Sequence, residues 1–205
     1  IVGIHNMPPR NFSIAKSYYK VYMFVNTCLI SFTILLFIRV YSKIQLMIIG
    51  VLLAGGKGSR FKSKDTNKTA VLFNKKPLIQ YGVEIYKGVT NKTMIVVGAY
   101  RDSAIKALKN PQTITFVDQR KRLGTGHAVK LVMEDIKKKN LKPSVILVGN
   151  GDNMMFYTKD VFKDMLEDHV LEGRAVTFIT TTMDNPKGMG RVIRNKKGLV
   201  QKIVE

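Results

Sequence analysis

A run of apolar and small residues, Ile48, Ile49, Gly50, Val51, Leu52 and Leu53, leads straight into Ala54-Gly55-Gly56-Lys57-Gly58-Ser59-Arg60. This junction limits the fold more than any other stretch of the chain. A strand with no polar alternation must be covered on both faces. Its exit then has to bend sharply through three glycines, which leaves backbone N–H groups uncovered by side chains. Lys57 and Arg60 set two cations beside those amides. Amide donors, fixed positive charge and the lack of a Cβ together suit a polyphosphate. Two related loops are excluded. In a Walker A loop a Ser or Thr follows Gly-Lys, whereas here Gly58 follows Gly56-Lys57, and Val51 stands at the first glycine position. A dinucleotide fingerprint requires a third glycine where Phe61 stands.

From Met47 onward, strand and helix patterns alternate. Strands are expected at 48–53, 93–97, 114–117, 145–148 and 175–180, with late strands at 190–193 and 199–204. Helical spacing marks 78–89, with Ile79, Val83 and Tyr86 on one face. It also marks a short segment at 103–108 stopped by Pro111, then 125–138 with a stripe of Ala128, Leu131, Val132 and Ile136, and 159–172 closed by Gly173. Such alternation predicts an α/β fold with a mostly parallel sheet and helices on both faces. Ligands of these sheets bind beyond the carboxyl ends of the strands. The glycine loop, the 123–127 segment and Gly151-Asp152 all follow strands and are expected to converge there.

Composition adds bounds. The 205 residues are 45% hydrophobic, enough for one good core. Cys28 is the sole cysteine, so the chain has no internal disulfide, and a reducing compartment, the cytoplasm, is the expected location. The formal charge of +20 comes from lysines spread without a long block. That suits anionic substrates, nucleic acid or lipid without choosing among them. Aromatic residues do not interleave with basic ones in an RNA-binding pattern, so no specific nucleic-acid partner is expected.

Residues 1–46 differ from the rest. They hold Arg10, Lys16, Lys20, Arg39 and Lys43 and no acid. An uncharged run between Lys20 and Arg39 makes 21–40 a candidate transmembrane helix. Cations at both ends leave its orientation open, and no small-x-small cleavage site follows it, which argues against a signal peptide. Two readings stand: a membrane anchor, giving membrane association, or translated sequence upstream of a start at Met47. The seven residues 40–46 would reach at most ~25 Å, a short tether for a central strand. The expected division is therefore an apolar basic extension over 1–46 and a folded domain over 47–205.

Four further elements follow the glycine loop. Lys68 lies in Asn67-Lys68-Thr69-Ala70, eight residues after Arg60, and would reach over a phosphate from the side opposite the loop. Gly151-Asp152 closes the fourth strand, where a carboxylate facing a phosphate loop suits Mg²⁺. Gln119-Arg120-Lys121-Arg122-Leu123-Gly124-Thr125-Gly126-His127-Ala128 sets an amide five residues before a glycine pair. Gly188-Met189-Gly190-Arg191 and Ile203-Val204-Glu205 close the chain.

The Ala54–Arg60 string resembles the signature of the sugar-nucleotidyltransferase superfamily. Leu123 to Ala128, with Gln119 ahead of it, narrows the resemblance to the N-acetylglucosamine-1-phosphate uridylyltransferases, the bacterial UDP-GlcNAc pyrophosphorylases. The likeness runs from Met47 to Glu205. It implies a three-layer, Rossmann-like (GT-A-like) nucleotidyltransferase domain with a mixed, mostly parallel sheet, cut short at its C-terminal end. It implies transfer of a uridylyl group from UTP to a sugar 1-phosphate with release of pyrophosphate, with Mg²⁺ as cofactor, and it leaves room for a homo-oligomer.

By the same resemblance, Leu53, Ala54, Gly55, Gly56, Gly58 and Ser59 hold the nucleotide, and Lys57 and Arg60 grip the leaving pyrophosphate. Lys68 stabilises the transferring phosphoryl, and Asp152 binds the metal. Gln119, Gly124 and Thr125 meet uracil, for which the glycines bring backbone close and the Gln119 amide offers both a donor and an acceptor. Gly190 and Glu205 are sugar contacts. His127 is expected to orient the loop rather than transfer a proton.

The chain departs from the family pattern at several points. Asn67 replaces the proline usual before the lysine, and one residue is inserted between Arg60 and Lys68. Gly149-Asn150 precede Gly151-Asp152, and Asn153-Met154 follow where an apolar residue and proline are usual. The family's domain continues past the point matching Glu205, with further sugar contacts and a second metal ligand. The β-helical acetyltransferase domain carried by many members is absent, so a fragment is expected. Two rival readings stay open: a nucleotidyltransferase of this fold with another nucleotide or acceptor, and a non-catalytic, membrane-tethered nucleotide-binding module.

Overall fold

The computed structural model describes residues 46–58, 65–121 and 123–204. The candidate membrane segment over 21–40 lies outside them. No helix among the described residues is long and apolar enough to cross a membrane.

The expected central strand forms as β1 (Ile48–Ala54). It is flanked on both sides by parallel partners, β4 (Lys92–Val97) and β6 (Val145–Asn150), with β5 (Thr115–Asp118) outside β4, in the order β5-β4-β1-β6. Side chains of a strand alternate between faces, and β1 buries both sets. Leu52 and Ala54 join Ile95 and Val97 on one face of the sheet, against α1 (Leu78–Lys87) and α4 (Lys159–Leu171). Ile49 and Val51 join Met94 and Val96 on the other, against Ala128, Val132 and Ile136 of α3 (Gly124–Lys138). This is the three-layer α/β arrangement that the apolar strand demanded. The parallel register brings Ala54 beside Val97 and Leu53 beside Asn150, so the exits of β1, β4 and β6 lie side by side.

Four local differences from the sequence reading have physical causes. The strand expected at 175–180 does not form: the segment has no ladder partner among the described residues, Val176 is 74% exposed, and Thr177 Oγ1 lies 3.0 Å from His169 Nδ1 of α4 instead. The short helix α2 (Arg101–Lys106) ends before Pro111, and the proline opens a separate 3-10 turn, where its missing N–H costs nothing. A small hairpin of β2 (Leu72–Phe73) and β3 (Lys76–Pro77) was not expected. Asn74 and Lys75 turn it with positive φ values of 47° and 60°. The two late strands form as β7 (Arg191–Arg194) and β8 (Val200–Val204), but among the described residues they pair only with each other, antiparallel.

Candidate functional site

The strand exits build one end of the sheet. The β1 exit carries Ala54 and Gly55, both buried, then Gly56 and Lys57, both exposed, and Gly58. Two hydrogen bonds join it to its neighbours: Gly151 N–H donates to Leu53 O at 3.0 Å and Ala99 N–H to Gly55 O at 3.3 Å. Beyond Gly58, the predicted Ser59 and Arg60 lie outside the described residues, as does Glu205.

Lys68 and Asp152 meet across this end. The 3-10 turn Lys68–Ala70 presents Lys68, and the β6 exit presents Asp152. Lys68 Nζ lies 2.6 Å from Asp152 Oδ2, with both side chains about a third exposed at 34% and 28%. Two residues predicted to act on phosphate and metal thus pair with each other. Among the described residues, no group of three or more acidic, histidine or cysteine side chains could cage a metal. One part-exposed carboxylate still fits Mg²⁺, which is commonly held by one or two carboxylates together with substrate phosphates.

Gln119 closes the other side. Its backbone N–H donates to Val97 O at 2.7 Å and extends the β4–β5 edge. Its side chain, only 6% exposed, donates from Nε2 to Gly124 O at 3.0 Å, and the same nitrogen lies 3.2 Å from His127 Nδ1. A carbonyl oxygen only accepts, so the nitrogen must face Gly124, and Nδ1 of His127 must then be the bare ring nitrogen. Oε1 is turned towards Gly55, where an added Cβ would meet it at 2.6 Å. The expectation that both amide groups serve a base narrows to the oxygen. Gly124 itself has φ +89°, a conformation that favours glycine, and it opens α3, so Gly124 to His127 are helical rather than loop.

Beside Gln119 lies a cavity of about 440 Å³ lined by Gly98, Ala99, Arg101, Asp118, Gln119 and Arg120. Its size falls in the range of small-ligand sites. Arg101 Nε donates to Asp118 Oδ1 at 2.9 Å on its rim. The lining includes neither Lys68 nor Asp152, so the cavity occupies the Gln119 side of the site. Thr125 stands exposed in the first turn of α3. Gly190 precedes β7 in the separate ribbon and shares no ladder with the parallel sheet.

Sequence reasoning treated Asn67 only as a departure from a family pattern. The structure makes it a junction. Asn67 is 1% exposed, and its Nδ2 donates to Ala54 O at 2.9 Å and to Ala99 O at 2.7 Å. Its Oδ1 accepts from Thr69 N–H at 2.9 Å and Thr69 Oγ1 at 2.8 Å, and its own N–H donates to Ser103 Oγ at 2.8 Å. The Asn-x-Thr spacing before a polar turn was the available signal.

The model of the family described as "Nucleotidyl transferase" matches residues 49–205. A bifunctional protein GlmU of Lactobacillus johnsonii is 38% identical over 156 residues, which is 76% of this chain and 32% of that protein. The GlmU of Thermoanaerobacter pseudethanolicus is 32% identical over 158 residues, 77% of this chain and 33% of its own length. The chain thus spans about a third of the length of these relatives. Among solved structures, one described as a glucose-1-phosphate thymidylyltransferase from Bacillus anthracis superposes with a TM-score of 0.64 at 24% identity. That match covers 77% of this chain and 64% of the other, and it supports the fold.

Proposed function

The chain belongs to the nucleotidyl transferase family, and on that premise we propose that it transfers a uridylyl group from UTP to N-acetylglucosamine 1-phosphate or a similar sugar 1-phosphate. The product is a nucleotide sugar and the leaving group is pyrophosphate. Residues 47–205 supply the nucleotidyltransferase domain and 1–46 an extension to it. The observation that carries the reading is the Lys68–Asp152 pair at 2.6 Å, set beside the exit of the strand that leads into the glycine loop. A cation and an anion in this position are the two charges that a nucleotide phosphate and its counter-ion require.

In this reaction an oxygen of the sugar phosphate attacks the α-phosphorus of UTP in line. The new P–O bond forms as the bond from the α-phosphorus to the bridging oxygen breaks, and that electron pair leaves with pyrophosphate. The protein makes no covalent bond; it positions the reactants and neutralises charge. Lys57 and Arg60 neutralise the leaving pyrophosphate. Lys68 leaves Asp152 for the oxygens of the transferring phosphoryl. Asp152, so released, is the residue that would hold Mg²⁺, whose charge lowers the repulsion between the phosphates. Gln119 Oε1 accepts from a base, and Gly124, by holding Nε2, keeps that oxygen on the Gly55 side. Gly190 and Glu205 belong to the sugar side.

The test is pyrophosphate release by the full chain supplied with UTP, N-acetylglucosamine 1-phosphate and Mg²⁺, with calorimetry of UTP binding beside it. Release that depends on both substrates supports the proposal. A folded chain that neither binds UTP nor forms pyrophosphate with any sugar 1-phosphate removes it.

A further inference from the structure

We propose that Asn67 is a positioning residue for the transfer step: it holds the turn that carries Lys68 in register with the exits of β1 and β4. This deepens the proposed function and rests on it, since the role belongs to the same site.

The amide of Asn67 has two donor hydrogens and an oxygen that takes two bonds. All are used. Both hydrogens go to carbonyls, Ala54 O at the β1 exit and Ala99 O just beyond β4, and both bonds to the oxygen come from Thr69. Ala54 O and Ala99 O only accept and Thr69 N–H only donates, so the amide has one orientation. The backbone N–H adds a bond to Ser103 Oγ, and that hydroxyl donates in turn to Tyr100 O at 2.7 Å. Lys68 therefore stands between two pinned residues, Asn67 and Thr69. Its Cα is held on both sides by these bonds, and its flexible arm starts from between them.

Holding the backbone does not by itself require this side chain. Asn67 has φ −68° and ψ 138°, values that proline adopts without strain. The amide links three segments, its own turn and two others 13 and 32 residues away in sequence. One is the strand leading into the glycine loop. The second is the wall of the cavity beside Gln119, to which Ala99 belongs. The third is the Lys68 turn. A displacement of about 1 Å in a positioned group costs on the order of 100-fold in rate. The network sets Lys68 relative to the phosphates, so its loss should be read in kcat more than in KM.

The experiment is a double-mutant cycle. Asn67→Ser keeps a side-chain acceptor for Thr69 but is too short to reach Ala54 O and Ala99 O. Asn67→Ser should lower kcat by about tenfold or more while KM for UTP changes less than about threefold. In a Lys68→Met background the same substitution should have almost no further effect, because Asn67 acts through Lys68. Multiplicative effects in the cycle, or parental kcat in a folded Asn67→Ser chain, overturn the proposal.

A second measurement does not need turnover. Hydrogen exchange at the Ala70 and Val71 amides, which donate to Asn67 O and Lys68 O within the turn, should speed up about tenfold in Asn67→Ser. Unchanged exchange overturns the proposal even in a chain that makes no pyrophosphate. Absence of turnover in the parent removes the proposed function and the kinetic role that rests on it, an outcome distinct from unchanged exchange in a parent that does turn over.

Discussion

Lys68 Nζ and Asp152 Oδ2 lie 2.6 Å apart, so each of these two charges is offset by the other. Both side chains remain part-exposed, and such pairs contribute about 1 kcal/mol or less to stability. The residues that matter most to the proposed chemistry therefore matter little to the fold. Lys68→Met should lower kcat by about 100- to 1,000-fold, the usual loss on removing one electrostatic stabiliser of a transition state. The melting temperature should move by no more than about 4 °C. Steady-state kinetics beside thermal unfolding checks this. A variant that keeps parental kcat would falsify the assignment of Lys68.

Gly55 and Gln119 share one volume: a Cβ on Gly55 would stand 2.6 Å from Gln119 Oε1. The clash falls on the far end of a flexible side chain, so the chain can fold by swinging Gln119 aside. The cost then appears as lost recognition. Gly55→Ala should weaken UTP binding by about tenfold, the order expected when a hydrogen-bonding group is displaced. The circular dichroism spectrum should be unchanged. Calorimetry showing parental affinity would remove Gln119 from the base site.

His127 and Gly124 hold the same amide nitrogen of Gln119, at 3.2 Å and 3.0 Å. With that nitrogen occupied, Oε1 is the group that the proposed function leaves to a base. Uracil presents a donor at N3 and cytosine an acceptor there, so a fixed acceptor favours UTP. His127→Leu removes one of the two holds and lets the amide reorient. The ratio of kcat/KM for UTP over CTP should fall by about tenfold, while the rate with UTP falls less. An unchanged ratio would mean that Gln119 is held by Gly124 alone or does not read the base.

The parts that could be read from sequence are those announced locally. The apolar run at 48–53 gave β1, and the glycines after it gave the loop. Helical spacing gave α1, α3 and α4 within two residues of their ends. Convergence at the carboxyl end followed from strand–helix alternation, and Lys68, Gln119 and Asp152 do sit at that end. At Asn67 the Asn-x-Thr spacing announces only the local turn; the partners Ala54, Ala99 and Ser103 that make it a junction are set by the fold and lie 13, 32 and 36 residues away. The segment 175–180 failed in the opposite way. Its local composition reads as strand, but a strand forms only where another chain segment offers a ladder.

Tyr86 supplies a prediction that does not depend on the proposed reaction. Its ring is fully buried under β1 and packs edge-on to Phe162, with centroids 6.0 Å apart. Its hydroxyl has no hydrogen-bond partner among the described residues. Burial alone pushes the phenol well above its ordinary value. Removing an unpaired buried hydroxyl removes a desolvation penalty, so Tyr86→Phe should raise stability by about 1 kcal/mol near neutral pH. Above about pH 10 the unfolded phenol ionises and the buried one does not. The unfolded state then releases a proton that the folded state keeps, and stability falls with rising pH by about 1.4 kcal/mol per unit from this group. Tyr86→Phe abolishes that share, so its advantage over the parent should widen between about pH 10 and 11. Urea unfolding of both chains across that range measures it. A constant difference would show that the phenol ionises as readily in the folded chain as in the unfolded one, which overturns the burial argument.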